Sequence, residues 1–250
     1  MNEQIKKLEA EVEALFNLTI RAYERFIFLR PMLANQELHD RIGEEGKVSS
    51  FERLRNWLYW SLAQELSNIC SDKSESSPSI RTVTQKLKDV QLRNLLEEKC
   101  VKNNREMGEE GVRADFNRAY SDYLYRAEEM LSSRSVGGYK KIRDKLISHN
   151  DLQRSQQSGT GYDFFDIKNL NLKYGDERKL LETLQVLVCH LLTIVRNIDF
   201  TWDSFFQGEE RVSCKFWEIS APLESDEAVC KPPPPQVFTE AATQHERNEP

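Results

Sequence analysis

The segment 143–151, RDKLISHND, combines residue types that can carry out chemistry. His149 has an unperturbed pKa near 6.5, so it can accept or donate a proton at neutral pH. Arg143 stays charged, and its planar fork of N–H groups fits phosphate oxygens. We therefore expect this segment to be the functional centre of the protein.

The other three histidines are weaker candidates for catalysis. His39 lies on a charged helical face and is expected at the surface. His190 is embedded in apolar sequence, where a hydrogen-bonded core histidine is the more common outcome. His245 falls in a polar tail that we expect to be disordered. Only His149 combines a nearby arginine, an expected helix end and a local basic patch.

The spacing of Arg143 and His149 restricts how they can work together. Six residues on an α-helix rotate by about 600°, which leaves the two side chains roughly 120° apart. They can converge if the helix ends near His149, which the polar Asn150 and Asp151 favour. Alternatively, two copies of the segment can face each other across a two-fold axis.

Charge and composition exclude several classes of protein. The chain of 250 residues has a net charge of −6, which is unlike a protein that coats nucleic acid. Residues 131–154 nevertheless carry six basic and two acidic residues, a local basic patch. The sequence has neither a Gly-rich phosphate loop nor a His/Glu metal pattern, so we expect no metal and no cofactor. The five cysteines are scattered, and we recognise neither a leader nor a membrane span in the sequence. These features predict a soluble cytoplasmic protein.

Apolar residues recur at three- and four-residue steps, which predicts an all-α helical bundle. The expected helices cover about residues 3–30, a short stretch to 41, then 51–70, 80–101, 112–131, 139–149 and 176–198. Pro31 is expected to end or kink the first helix, and Ser49 with Glu52 to form a capping box. Gly137 and Gly138 are expected to interrupt the chain, and no alternation typical of a strand appears before residue 207.

The predicted domain organisation is a helical domain followed by a C-terminal extension. Residues 1–206 form the helical domain. Residues 207–230 are expected to be a C-terminal arm in which 212–219 form a strand or an ordered segment. Residues 231–250 contain a run of four prolines and are expected to be a disordered tail.

The order of these features resembles the HEPN superfamily (higher eukaryotes and prokaryotes nucleotide-binding). Its motif is an arginine and a histidine separated by four to six residues, commonly with a polar residue after the arginine. Arg143, Asp144 and His149 fit that pattern. The form R-D-K-x-x-x-H-x-D, followed by LNLKYGD at 170–176 and a long apolar helix, is most similar to the AbiU-type abortive-infection branch. The resemblance covers about residues 1–206.

The resemblance implies a metal-independent endoribonuclease that acts as a homodimer in anti-phage defence or a toxin–antitoxin system. Arg143 and His149 would be catalytic, with Asp144, Asn150 and Asp151 in support. Asp144 could orient either Arg143 or His149, whereas Asp151 could equally be a turn residue. Further phosphate attraction would come from three lysines, Lys140, Lys141 and Lys145. An antitoxin or another defence-system protein is an expected partner.

Two other functions fit the same residues. One is a non-catalytic HEPN-like module that binds RNA, a nucleotide or a protein partner. The other is a helical scaffold in which Arg143 pairs with a carboxylate and His149 caps a helix C-terminus, where a cation is favourable to the helix dipole.

Overall fold

Helices make up most of the chain in the computed structural model, which describes residues 3–74, 77–104, 106, 108–147, 152–154, 162–164, 172–173 and 175–220. The helices are α1 (Glu3–Ala34), α2 (Gln36–Glu44), α3 (Val48–Ser71), α4 (Ile80–Leu87), α5 (Val90–Asn103), α6 (Glu109–Ser132), α7 (Arg134–Ile142), α8 (Asp176–Leu191) and α9 (Trp202–Trp217). Two π-helical segments, Arg143–Ile147 and Leu192–Arg196, continue α7 and α8. The all-α prediction is confirmed.

Helix α1 is central to the bundle and packs against α3, α8 and α9. Its buried face recurs at helical spacing through Leu8, Val12, Leu15 and Thr19. Helix α3 packs on α7, and α6 packs on α5 and α8. One continuous hydrophobic core therefore joins the N-terminal helices to those that flank residue 143.

Pro31 lies inside α1, so the prediction that it ends the helix is wrong, because α1 continues to Ala34. Proline has no N–H and leaves the carbonyl four residues earlier without its helical donor. That carbonyl, on Ile27, accepts a hydrogen bond from the Ser213 hydroxyl at 3.2 Å. The Trp217 indole N–H donates to the next carbonyl, of Phe28, at 3.0 Å. Helix α9 thus supplies donors beside the proline.

Two other predicted helix boundaries are also corrected. Helix α3 begins at Val48 after a left-handed Gly46, so Ser49 lies inside the helix and no capping box forms there. The helix expected over 80–101 is divided into α4 and α5, because Asp89 caps a new helix by accepting from the Gln91 N–H at 2.7 Å.

Helix α7 runs through both glycines, so the interruption predicted at Gly137 and Gly138 is wrong. The Ser133 side chain caps the helix by accepting from the Val136 N–H. A Cβ added at Gly137 would meet nothing within 4 Å, whereas one at Gly138 would lie 2.7 Å from Cδ2 and 2.9 Å from Cγ of Leu172. Gly138 therefore permits close packing of α7 on the segment that precedes α8.

The two glycines provide a matched pair for a stability measurement. Gly137→Ala is expected to stabilise the protein by about 0.5–1 kcal/mol, because alanine is the better helix former. Gly138→Ala gains the same propensity but crowds Leu172, and overpacking costs roughly 1–3 kcal/mol. Denaturant unfolding should therefore rank Gly138→Ala below Gly137→Ala. Equal stability of the two variants would contradict the close packing of α7.

A two-stranded hairpin follows the helical segment that contains Arg143. Strand β1 (Leu152–Arg154) pairs antiparallel with β2 (Tyr162–Phe164), with Leu152 opposite Phe164. The sequence before residue 207 has no alternation that would predict these two strands. Strands of three residues are too short for alternation of apolar and polar side chains to be recognised.

The C-terminal part of the described chain is helical, so the strand considered for 212–219 is wrong. Helix α9 spans Trp202–Trp217, with Trp202 and Trp217 both buried. Trp202 contacts the rings of Phe16 and Tyr23 from α1, with centroids 6.2 Å and 5.4 Å apart. The predicted boundary at residue 206 thus falls inside a helix that packs on α1. The tail predicted for 231–250 lies outside the described residues.

Within the described ranges, no helix combines the length and apolar character needed to cross a membrane.

Candidate functional site

The residues around Arg143 are positioned by the buried face of α7. Val136, Tyr139 and Ile142 recur every three residues and are all buried. That face packs against α3, and Arg143 follows directly after Ile142. The helix changes from α to π hydrogen bonding at this residue. Single π turns inside α-helices occur frequently at functional sites.

The Arg143 guanidinium is held on two sides by polar side chains. Its Nε donates to Asp144 Oδ1 at 2.8 Å, and an Nη lies 2.7 Å from the same oxygen. The other Nη donates to Oδ1 of Asn68, on α3, at 3.2 Å. The Arg143 side chain is 20% exposed and that of Asp144 is 40% exposed. The guanidinium is therefore partly buried between α3 and the π segment, with its orientation set by these contacts.

A buried carboxyl group lies beside Tyr139, which precedes Arg143 by one helical turn. Glu177, in the first turn of α8, is 1% exposed, and its Oε1 accepts from the Gly175 N–H at 3.2 Å. The Tyr139 hydroxyl lies 3.4 Å from Glu177 Oε2, which is long for a hydrogen bond. Burial raises the pKa of the Glu177 carboxyl above its usual range. This pair ties α7 to α8 beneath the site.

The lysines predicted to attract phosphate do not share one environment. Lys141 and Lys145 are both exposed and lie four residues apart, so they fall on one side of the helical segment. Lys140 is half-buried and points to a different side. Among the residues that the structure describes, Lys141 and Lys145 form the exposed basic surface next to Arg143.

Three predicted site residues, His149, Asn150 and Asp151, lie outside the described residues. The described helical segment ends at Ile147. Of the two partners considered for Asp144, the structure places Arg143 in direct contact with it.

The two other histidines within the described ranges have defined partners. His39 is half-buried rather than at the surface, because its Nε2 lies 3.0 Å from the Met32 carbonyl oxygen and its ring packs on Phe51. His190 Nε2 lies 2.9 Å from Asp122 Oδ2, so the ring nitrogen is paired with a carboxylate of α6.

Sequence reasoning did not identify Asn68 or Glu177. Asn68 is 75 residues from Arg143 in the chain, and no spacing pattern connects two residues at that distance. Glu177 stands in an acidic first turn, which is common at helix N-termini and gives no sign of burial.

No group of three or more His, Cys, Asp or Glu side chains that could hold a metal ion occurs in the part of the chain that the structure describes.

Comparison with known proteins identifies a family. The family model HEPN_AbiU2, described as AbiU2, matches residues 5–215. No curated protein and no solved structure gave a match. The matched range runs from α1 into α9 and includes the whole segment 143–151. With this match over most of its length, the chain belongs to the AbiU2 family of abortive-infection HEPN domains.

Proposed function

We propose that this protein is a metal-independent endoribonuclease of abortive-infection defence, with Arg143 and His149 as its catalytic residues. Membership of the AbiU2 family supports the setting. The observation that carries the catalytic part is the oriented, partly buried guanidinium of Arg143, held between Asp144 and Asn68.

The proposed reaction is attack of a ribose 2′-hydroxyl on the adjacent phosphorus. His149 accepts the 2′-hydroxyl proton as that oxygen attacks, and then donates the proton to the leaving 5′-oxygen. Arg143 stabilises the additional negative charge of the pentacoordinate phosphorus. The bond from phosphorus to the 5′-oxygen breaks, so the products are a 2′,3′-cyclic phosphate and a 5′-hydroxyl. Every group required belongs to the RNA or to these two side chains.

The contacts of Arg143 leave donors for a substrate. Arginine has five N–H donors, and the contacts to Asp144 and Asn68 engage three of them. One N–H on each Nη thus has no partner among the described residues. Because Asp144 occupies the Nε edge, an anion is directed to the two Nη groups. Each of these N–H groups can donate to an oxygen of a phosphate.

The experiment that tests the proposal is incubation of the purified protein with single-stranded RNA of mixed sequence, with and without a chelator. Cleavage that is equal in both samples is expected, because neither catalytic residue needs a metal ion. RNA that stays intact in the presence of folded protein would contradict an RNase function.

The exposed lysines next to Arg143 yield a salt-dependent prediction. Lys141→Glu/Lys145→Glu is expected to weaken RNA binding and to reduce the slope of log affinity against log salt by about 1–2, because up to two phosphate contacts are lost. Lys6→Glu/Lys7→Glu makes the same charge change at two exposed lysines of α1 and should bind as the wild type does. Equal weakening by both double variants would indicate a net-charge effect without a defined binding surface.

The second candidate function is a non-catalytic module that binds RNA, a nucleotide or a protein. It is favoured by the close pairing of Arg143 with Asp144, since that carboxylate offsets the charge of the guanidinium. Salt-sensitive RNA binding that leaves no cleavage products under any condition would support this function over catalysis.

We propose a homodimer as the active form, with an antitoxin or another defence protein as partner and the cytoplasm as location. Two copies of segment 143–151 that meet across a two-fold axis would bring both Arg–His pairs to one cleft. Analytical sedimentation measures the oligomeric state. A protein that is strictly monomeric and cleaves RNA at full rate would contradict the proposed dimer.

A further inference from the structure

We propose that the Asn68 carboxamide is a second phosphate-binding group of the site. In this arrangement its Nδ2 donates to the same phosphodiester that Arg143 contacts, and this rests on the proposed RNase function. Asn68 lies on α3, and its Oδ1 accepts from the Arg143 Nη at 3.2 Å.

The contact with Arg143 determines the orientation of the amide. A guanidinium has donors only, so the oxygen of the carboxamide must face it and Nδ2 must be the other terminal atom. Nδ2 carries two N–H groups, and neither has an acceptor among the residues that the structure describes. Because Nδ2 shares its carbon with Oδ1, it lies beside the Arg143 Nη that the oxygen contacts.

The setting of Asn68 favours a defined orientation. The residue is half-buried near the end of α3, between the fully buried Ser67 and Ile69. Its backbone carbonyl accepts the N–H of Asp72, the residue that ends the helix. The backbone of Asn68 is therefore fixed, and the contact of its side chain with Arg143 reduces the freedom that remains to be lost when a ligand binds.

The charges around Arg143 direct a phosphate toward Asn68. The Asp144 carboxylate covers the Nε edge of the guanidinium and repels an anion on that side. The opposite Nη lies next to an amide without net charge, whose oxygen accepts from Arg143 and whose Nδ2 can donate to an anion. A phosphodiester has two non-bridging oxygens, so one can accept from Arg143 and the other from Asn68.

The test compares Asn68→Ala and Asn68→Asp with Asn94→Asp. Asn94 is exposed on α5, which makes it a matched control for the change from amide to carboxylate. Asn68→Asp keeps an oxygen for Arg143 but replaces both Nδ2 donors. We expect each Asn68 variant to cleave RNA about 10²-fold more slowly, the loss typical of one oxyanion donor. Each should also bind a 2′-O-methyl RNA, which cannot be cleaved, several-fold more weakly.

A double exchange separates phosphate binding from the positioning of Arg143. Asn68→Asp/Asp144→Asn keeps one carboxylate and one amide around the guanidinium but exchanges their places. If Asn68 only positions Arg143, the exchange should restore cleavage relative to Asn68→Asp. If Nδ2 binds the phosphate, activity should stay low. Restored cleavage overturns the proposal.

The remaining outcomes distinguish this proposal from the RNase function. If the wild type cleaves RNA and both Asn68 variants keep full activity and full affinity, the role of Asn68 is overturned and the RNase function is not. If the wild type binds 2′-O-methyl RNA but cleaves no RNA, the affinities of the Asn68 variants still decide that role. A wild type that neither binds nor cleaves RNA overturns both. Unfolding curves like that of Asn94→Asp would exclude misfolding as the cause of a loss.

Discussion

Arg143→Ala and His149→Ala are each expected to reduce RNA cleavage by about 10²–10⁴-fold, which is the largest effect on activity that the site predicts. The histidine moves a proton in the transition state, and a positioned acid or base contributes about that factor. The arginine offsets charge that forms on phosphorus. Its side chain is partly buried, and the loss of one such group costs about 10²–10³-fold.

The appropriate control removes an arginine of similar size outside the site. Arg118 lies on α6, its side chain is 77% exposed, and it pairs with Asp115. Arg118→Ala should cleave RNA at the wild-type rate. The double variant Arg143→Ala/His149→Ala should be only slightly slower than the worse single variant, because residues that act as one unit are not additive. Near-normal cleavage by either single variant would remove that residue from the catalytic pair.

The largest effect on stability is expected at Tyr139. Its side chain is 1% exposed on the face of α7 that packs into the core, and its hydroxyl lies near Glu177. Tyr139→Ala removes a buried aromatic ring and should cost roughly 3–5 kcal/mol. That is a large part of the 5–15 kcal/mol by which proteins of this kind are usually stable. Urea unfolding followed by circular dichroism measures the change.

Two further tyrosine variants identify the cause of that loss. Tyr139→Phe keeps the ring and removes only a long contact to Glu177, so it should cost about 0.5–1.5 kcal/mol. Tyr125 is 68% exposed on α6, and Tyr125→Ala should change stability by no more than about 0.5 kcal/mol. If Tyr139→Ala unfolds within 1 kcal/mol of Tyr125→Ala, the packing of α7 beneath Arg143 is not as described.

Helical periodicity predicted the bundle because it reflects burial along a single element. The stripe of Leu8, Val12 and Leu15 is visible without any knowledge of the residues it packs against. The errors arose where a distant element changes a local preference. Pro31 stays inside α1 beside the Ser213 hydroxyl, which is 186 residues from the Ile27 carbonyl that it contacts.

The glycines of α7 show the same limitation. Gly137 and Gly138 both disfavour a helix by local propensity, yet the helix continues through them. The two positions differ in their surroundings. A Cβ at Gly138 would meet the Leu172 side chain, whereas one at Gly137 would meet no atom within 4 Å. Tertiary packing thus outweighs a propensity cost of about 1 kcal/mol per residue.

The candidate site was predictable in part. Arg143 and Asp144 are neighbours in sequence, so one short motif contains both and identifies them together. Asn68 and Glu177 meet this segment only through the packing of α3 and α8 on α7, and no short motif contains them. His149, Asn150 and Asp151 remain predictions from the sequence.

The end groups of the cleaved RNA provide the most direct test of the central claim. RNA is digested by the wild-type protein in excess chelator, and the fragments are analysed by mass spectrometry. Attack by the 2′-hydroxyl predicts 2′,3′-cyclic phosphate and 5′-hydroxyl ends in the wild-type digest and none with Arg143→Ala. Fragments that carry 5′-phosphate and 3′-hydroxyl ends, or cleavage that stops when the chelator is added, would contradict the proposed reaction.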